Sequence, residues 1–148
     1  MEELQELLDN AEAKLLAEHK EFVAGCKAGT VRLGVDRSRI GKAVCSEDYQ
    51  HLLNGNEYPQ MLNRLATVFS LLIIPSLIAA AILPFLTAWW AFIPCLAVAW
   101  FFKRMTYRYQ REAIRELALA DPTAYAYLLM EDIIIVHGPS EGPAGRGR

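Results

Sequence analysis

Apolar and polar positions follow two different regimes along this chain. From Glu2 to Ala28, Leu4, Leu8, Ala11, Leu15 and Phe22 recur at three- and four-residue steps, the signature of one amphipathic helix. Glu2, Glu3 and Glu6 suit its positive end and Lys27 its negative end, with Gly25 and Gly29 as stop signals. From Leu65 to Phe102 the periodicity disappears. That stretch holds 38 consecutive residues without an Asp, Glu, Lys, Arg or His. Pro84 divides it into predicted spans at 65–83 and 85–102, roughly 28 and 27 Å of helix, each just enough for a hydrocarbon core of about 30 Å. Pro75 and Pro94 are expected to kink the spans near their middles.

The flanks read as smaller elements. Thr30 to Val35 alternates weakly, as a short strand does, and Asp36 to Leu53 reads as an interrupted helix in which Ser46 caps residues 47–53. Asn54-Gly55-Asn56 is a turn, and Tyr58-Pro59 opens the next helix. Beyond Phe102 helical character continues to about Ala120. Asp121-Pro122 then restarts a short helix to about Met130, and Asp132 to His137 is a β-prone run. Ile133–Val136 is expected to pair with Val31–Val35, and Leu4, Leu8 and Leu15 to pack on Leu117, Leu128 and Ile134. Residues 138–148 hold four Gly and two Pro and are expected to be disordered.

Charge changes the picture through its layout. The net charge is −2 over 148 residues, too balanced for a nucleic-acid binder. Arg64 precedes the apolar run, and Lys103, Arg104, Arg108, Arg111 and Arg115 follow it, while the turn between the spans has no base. The positive-inside rule then predicts both termini in the cytoplasm, with Trp89 and Trp90 near the outer interface and Trp100 near the inner one. The acidic start lacks a signal peptide's basic n-region, so the internal run must direct insertion. The same juxtamembrane bases are candidate contacts for lipid head groups.

Candidate chemistry is sparse. Cys26, Cys45 and Cys95 form no C-x-x-C, which argues against a disulfide framework and against a zinc site. His19, His51 and His137 are dispersed, Cys45 and His51 match no catalytic arrangement, and Arg39-Ile-Gly-Lys42 is far from a phosphate-binding loop. No ionisable group lies within the run, against the habit of transporters. Ala88, Ala91, Cys95 and Ala99 share one face of the second span, and Ser76 and Ala80 form a small pair on the first. Small residues allow close helix approach. They serve equally to close the hairpin on itself or to receive another membrane subunit or a second copy.

The expected fold is therefore a mainly α-helical membrane protein. It comprises an N-terminal segment 1–60, a two-helix transmembrane hairpin 61–102, a stretch 103–137 packing with the N-terminal segment in the cytoplasm, and the tail. The expected function is a non-catalytic subunit, scaffold or assembly factor of the inner (plasma) membrane, with no catalytic residue, metal or cofactor and no small-molecule substrate. Its partners are the bilayer and other membrane subunits or further copies. Two alternatives stand beside it: a small immunity or regulatory protein, and a hairpin that wedges into one leaflet.

Overall fold

The computed structural model describes residues 2–87 and 89–138. They are mostly helical, with one two-stranded sheet. In chain order they form α1 (Glu2–Ala28), β1 (Arg32–Val35), α2 (Arg37–Val44), α3 (Glu47–Asn54), α4 (Glu57–Leu86), a 3-10 turn (Trp89–Ala91), α5 (Phe92–Ala120), α6 (Pro122–Met130) and β2 (Ile134–His137). Two compact units result, one from the described residues of 1–52 and 115–148, the other from 53–114. The expected tail lies outside the described residues from Pro139 onward.

Helix boundaries in the first unit follow local chemistry. α1 stops at Gly29, whose φ of 74° suits a residue without a Cβ. Thr30 N–H donates to Gly25 O at 3.0 Å and Gly29 N–H to Cys26 O at 3.2 Å, which is the Schellman arrangement. Gly25 itself is interior to the helix, and a Cβ there would lie 2.6 Å from Val31 Cγ2. It is a packing glycine, not a stop. Asp36 caps α2 by accepting from the Ser38 hydroxyl and from Ser38 N–H, both at 2.8 Å, and those bonds hold its carboxyl below the usual carboxylate range. Ser46 Oγ accepts from Tyr49 N–H at 3.3 Å and shares a hydrogen bond with the Tyr127 hydroxyl at 3.0 Å. Asp121 accepts from Thr123 and Ala124 N–H at 2.8 and 3.4 Å, with Pro122 opening α6.

The strands pair antiparallel, with Arg32 opposite His137 and Val35 opposite Ile134. Asp132, at a φ of 51°, reverses the chain ahead of β2. Arg39 donates to Glu131 O at 2.8 Å and to Asp132 Oδ2 at 3.2 Å, an exposed tie of modest worth. The core between these elements contains Ile40, Ala43, Tyr49, Leu117, Leu128 and Ile134.

α1 joins this unit differently from expectation. Leu4 and Leu8 are exposed, at 67% and 57%, and Leu15 is only half-buried. The contact falls nearer the other end of the helix. Phe22 stacks on Tyr125 at 4.5 Å, and the buried His19 ring places Nε2 3.0 Å from Ala118 O. Length explains the shift: α1 is about 40 Å long, whereas the nine residues of α6 cover only about 13 Å.

The apolar run also divides differently. α4 continues through Pro75 and Pro84 to Leu86, and α5 begins only at Phe92. Pro84 lacks one N–H, but two residues from a helix end that removes a single bond to the Ala80 carbonyl. Termination comes at Thr87, whose N–H and hydroxyl both donate to Leu83 O at 3.0 Å. Pro94 occupies the third position of α5, where its missing N–H has no helical partner to lose. It belongs to the helix start and not to the middle of a span. The predicted second span, 85–102, is thus replaced by a turn followed by 11 uncharged helical residues, Phe92–Phe102.

Two substitutions check these assignments. Asp121→Ala should cost about 1 kcal/mol, the usual value of an N-cap, read as roughly fivefold faster hydrogen exchange of the first α6 amides. The Tyr49 side chain is fully buried, its hydroxyl has no partner among the described residues, and burial pushes its pKa up. Tyr49→Phe should therefore raise stability by about 1 kcal/mol, measured by denaturant unfolding in detergent.

Candidate functional site

The second unit presents the feature with the clearest physical consequence, an uncharged helical hairpin with a basic flank. Leucine, isoleucine and alanine dominate α4, and the hydroxyls within it turn back on their own helix. Thr67 donates to Asn63 O at 3.0 Å and Ser76 to Leu72 O at 2.8 Å. In α5, Thr106 donates to Phe102 O at 3.0 Å. The Phe69 ring stacks on Tyr109 at 5.5 Å, 5° from parallel, and also meets Phe102 at 5.9 Å. Phe69 and Tyr109 lie at similar distances along the chain from the turn, so the two helices run antiparallel.

Burial separates the faces. Leu62, Ala66 and Ala80 of α4 are buried, as are Ala99, Thr106 and Ala113 of α5. Ser76, Ala91 and Cys95 are half-buried on the same sides. The described members of the small-residue set thus turn into the hairpin, where close approach needs them. Ala88 lies outside the described residues. Outward-facing positions are large and apolar, among them Leu71 at 63%, Ile74 at 60% and Phe85 at 90% exposure.

Arg64, Lys103, Arg104, Arg108, Arg111 and Arg115 are all exposed. Four of the arginines (104, 108, 111 and 115) share one face of α5, and Arg104 lies 5.5 Å over the Trp100 ring. The guanidinium of Arg104 itself faces the indole, a cation–π arrangement on an exposed part of α5. Residue type alone did not single out Asn63, which is buried with Oδ1 unpartnered among the described residues, or the Phe69–Tyr109 stack. Both depend on the facing helix, and the only sequence signal was their helical spacing from Ala66 and Thr106.

Elsewhere the chemistry is thin. Among the described residues no three His, Cys, Asp or Glu side chains gather where they could hold a metal ion. Cys26 has its thiol pushed up by burial, partly offset by Arg115, so it is a poor thiolate source. The Tyr125 phenol is raised by burial and by Glu18 and Cys26. A cleft of about 370 Å³ lined by His19, Lys20, Val23, Ala24, Lys27 and Leu119 holds two cations but no built acceptor. Arg39-Ile-Gly-Lys42 lies within α2, with no loop to cradle a phosphate.

No protein-family model, curated protein or solved structure matches the chain. The physical class is what its own residues define: α4 is long and apolar enough to cross a membrane, and its most apolar 18-residue window is only 6% buried.

The hairpin pairing is directly testable. With Cys26, Cys45 and Cys95 replaced by Ser, cysteines at positions 69 and 109 should crosslink within one chain under mild oxidation. Cysteines at 69 and 96, which the antiparallel arrangement keeps well apart, should not.

Proposed function

We propose that this chain is a non-catalytic membrane protein whose α4–α5 hairpin is inserted in the bilayer, with both ends of the chain on the cytoplasmic side of a plasma membrane. The hairpin holds the first unit at the membrane surface, where it docks protein partners as a scaffold or assembly subunit. One observation carries this reading: an α4 window with mean hydropathy 2.4 of which only 6% is buried inside the chain. A soluble protein's core helix of that composition would be covered. The cost of exposing so many large apolar side chains to water makes lipid the fitting solvent.

Orientation rests on the bases. All six juxtamembrane cations flank the uncharged run and none lies in its turn, the distribution expected of cytoplasmic flanks. Docking finds support in α1, whose Leu4, Leu7 and Leu8 are more than half exposed on the part of the helix ahead of the Phe22–Tyr125 contact. Those positions are costly on a module that binds nothing.

Fractionation gives the first test. The full chain should stay in the membrane pellet through an alkaline carbonate wash and be released by detergent. Recovery in the carbonate supernatant as a dispersed species would defeat the membrane assignment. Purification in mild detergent should then retain a stoichiometric partner or a defined homo-oligomer, whereas a lone monomer would defeat the scaffold role.

A further inference from the structure

The two arms of the hairpin are unequal, and this decides how it can sit in lipid. α4 is free of charge from Leu65 to Leu86, about 33 Å, whereas α5 is free of charge only from Phe92 to Phe102, about 16 Å. Because Phe69 meets both Phe102 and Tyr109, Lys103 and Arg104 lie beside the Ser70–Leu72 turn of α4, well inside its apolar length. A hairpin standing upright across a core of about 30 Å needs about 20 residues in each arm. On α5 those would run from Phe92 to residue 111 and take Lys103, Arg104, Arg108 and Arg111 into hydrocarbon, with Lys103 near the midplane. The turn is equally ill suited to emerge in water. Phe85, Leu86, Trp89 and Trp90 are between 59% and 90% exposed, and the hydroxyl of Thr87 is already committed to Leu83 O.

The faces of the hairpin supply the alternative. On α5 the residues turned towards α4 (Cys95, Ala99, Phe102, Thr106, Tyr109) recur at helical spacing, and Arg104, Arg108 and Arg111 fall about 180° around the helix from them. On α4 the side away from α5 carries Val68, Leu71, Ile78 and Ile82, all exposed and apolar. Beyond Phe102 the hairpin is therefore amphipathic across its thickness, with basic α5 on one side and apolar α4 on the other, while nearer the turn the same α5 face carries the exposed apolar Ile93 and Trp100. Helix axes in such a pair lie 8–10 Å apart. With α4 beneath α5 and Lys103 set about 11 Å along the axis from Arg64, the two reach the same surface when the hairpin leans about 50° from the bilayer normal. The 33 Å of α4 then occupies a depth of about 21 Å, roughly two-thirds of the hydrocarbon core.

We infer that the hairpin does not cross the bilayer but lies obliquely in it, entered from the cytoplasmic side, with α4 on the acyl chains and the Arg104/Arg108/Arg111 face of α5 against anionic head groups. This rests on the membrane assignment above and replaces the pair of full spans. Chain ends on one side of the membrane follow without any segment being translocated. Arg104 over Trp100 then marks the head-group boundary on α5, and the Trp89–Trp90 tip stays in the hydrocarbon, nearer the acyl-chain ends than the far head groups.

Tryptophan depth tests the inference, because Trp89, Trp90 and Trp100 are the only three in the chain. The full-length Trp100→Phe variant, reconstituted in phosphatidylcholine–phosphatidylglycerol vesicles, reports the tip alone. Lipids brominated near the ends of their acyl chains should quench it more strongly than lipids brominated near the head group. Stronger quenching by the shallow bromines would put the tip at an interface and overturn the inference. A second measurement does not depend on that variant: in a cysteine-free background, Thr87→Cys should remain unlabelled by an impermeant maleimide added outside intact cells, and labelling there would equally overturn it. Failure of the membrane assignment itself looks different, since the chain would then not float with the vesicles and neither lipid would quench.

Discussion

Backbone and hydroxyl groups without water must find partners in their own helix, and α4 and α5 are organised around that requirement. The hydroxyls of Thr67, Ser76, Thr87 and Thr106 each donate to the carbonyl four residues earlier, at 2.8 to 3.0 Å. The two prolines inside α4 each remove one donor, and the helix passes through both. Side chains then do the rest: alanines and Cys95 allow approach, Phe69 and Tyr109 lock the register, and large aliphatics face outward. A helix pair assembled this way needs no polar network between its arms, and it presents to its surroundings what acyl chains accept.

Charge placement sets the limit on how far that solvent can extend. A cation at the centre of a bilayer costs about 2.5–3.5 kcal/mol even on insertion scales, and α5 would bring several. Lys103 and Arg104 begin only 11 residues after α5 starts, whereas Arg64 stands 22 residues ahead of the end of α4. Snorkelling recovers a few ångströms for a lysine or arginine stem. It does not recover the difference between the arms. An inclined hairpin removes the conflict because the separation of the two helices contributes to depth, and the lipid-facing and head-group-facing sides are then two helices and not two faces of one.

The first unit is held by a different kind of constraint. Its elements are short, and each boundary is set by a specific capping group: Gly29 in the left-handed region, Asp36, Ser46, Asp121, and the Asp132 reversal into β2. These caps place Tyr49, Leu117 and Leu128 together with little freedom left in the connections. α1 contributes through His19 and Phe22, and its earlier leucines remain outside that core. The chain thus combines a unit whose order comes from caps and a small core with one built on a long apolar helix that the rest of the chain leaves largely unburied.

Several features were legible in the residues alone because their causes are local. The uncharged run, the helix over 2–28, the caps at Ser46 and Asp121-Pro122, and the pairing of a strand near residue 33 with one near 135 all follow from composition, period or a single side chain. The position of the turn in the hairpin was not legible. Pro84 reads as a breaker, yet a helix end two residues later spares it, and only the packed helix shows where Thr87 closes the chain. Nor could spacing say which side the small residues face, since a packing face and a docking face have the same period. The tertiary structure turned Ala80 and Ala99 inward and set Arg104, Arg108 and Arg111 opposite them. Local sequence carries hydrogen-bonding and solvent preferences residue by residue, whereas which surface remains uncovered depends on a partner helix many positions away.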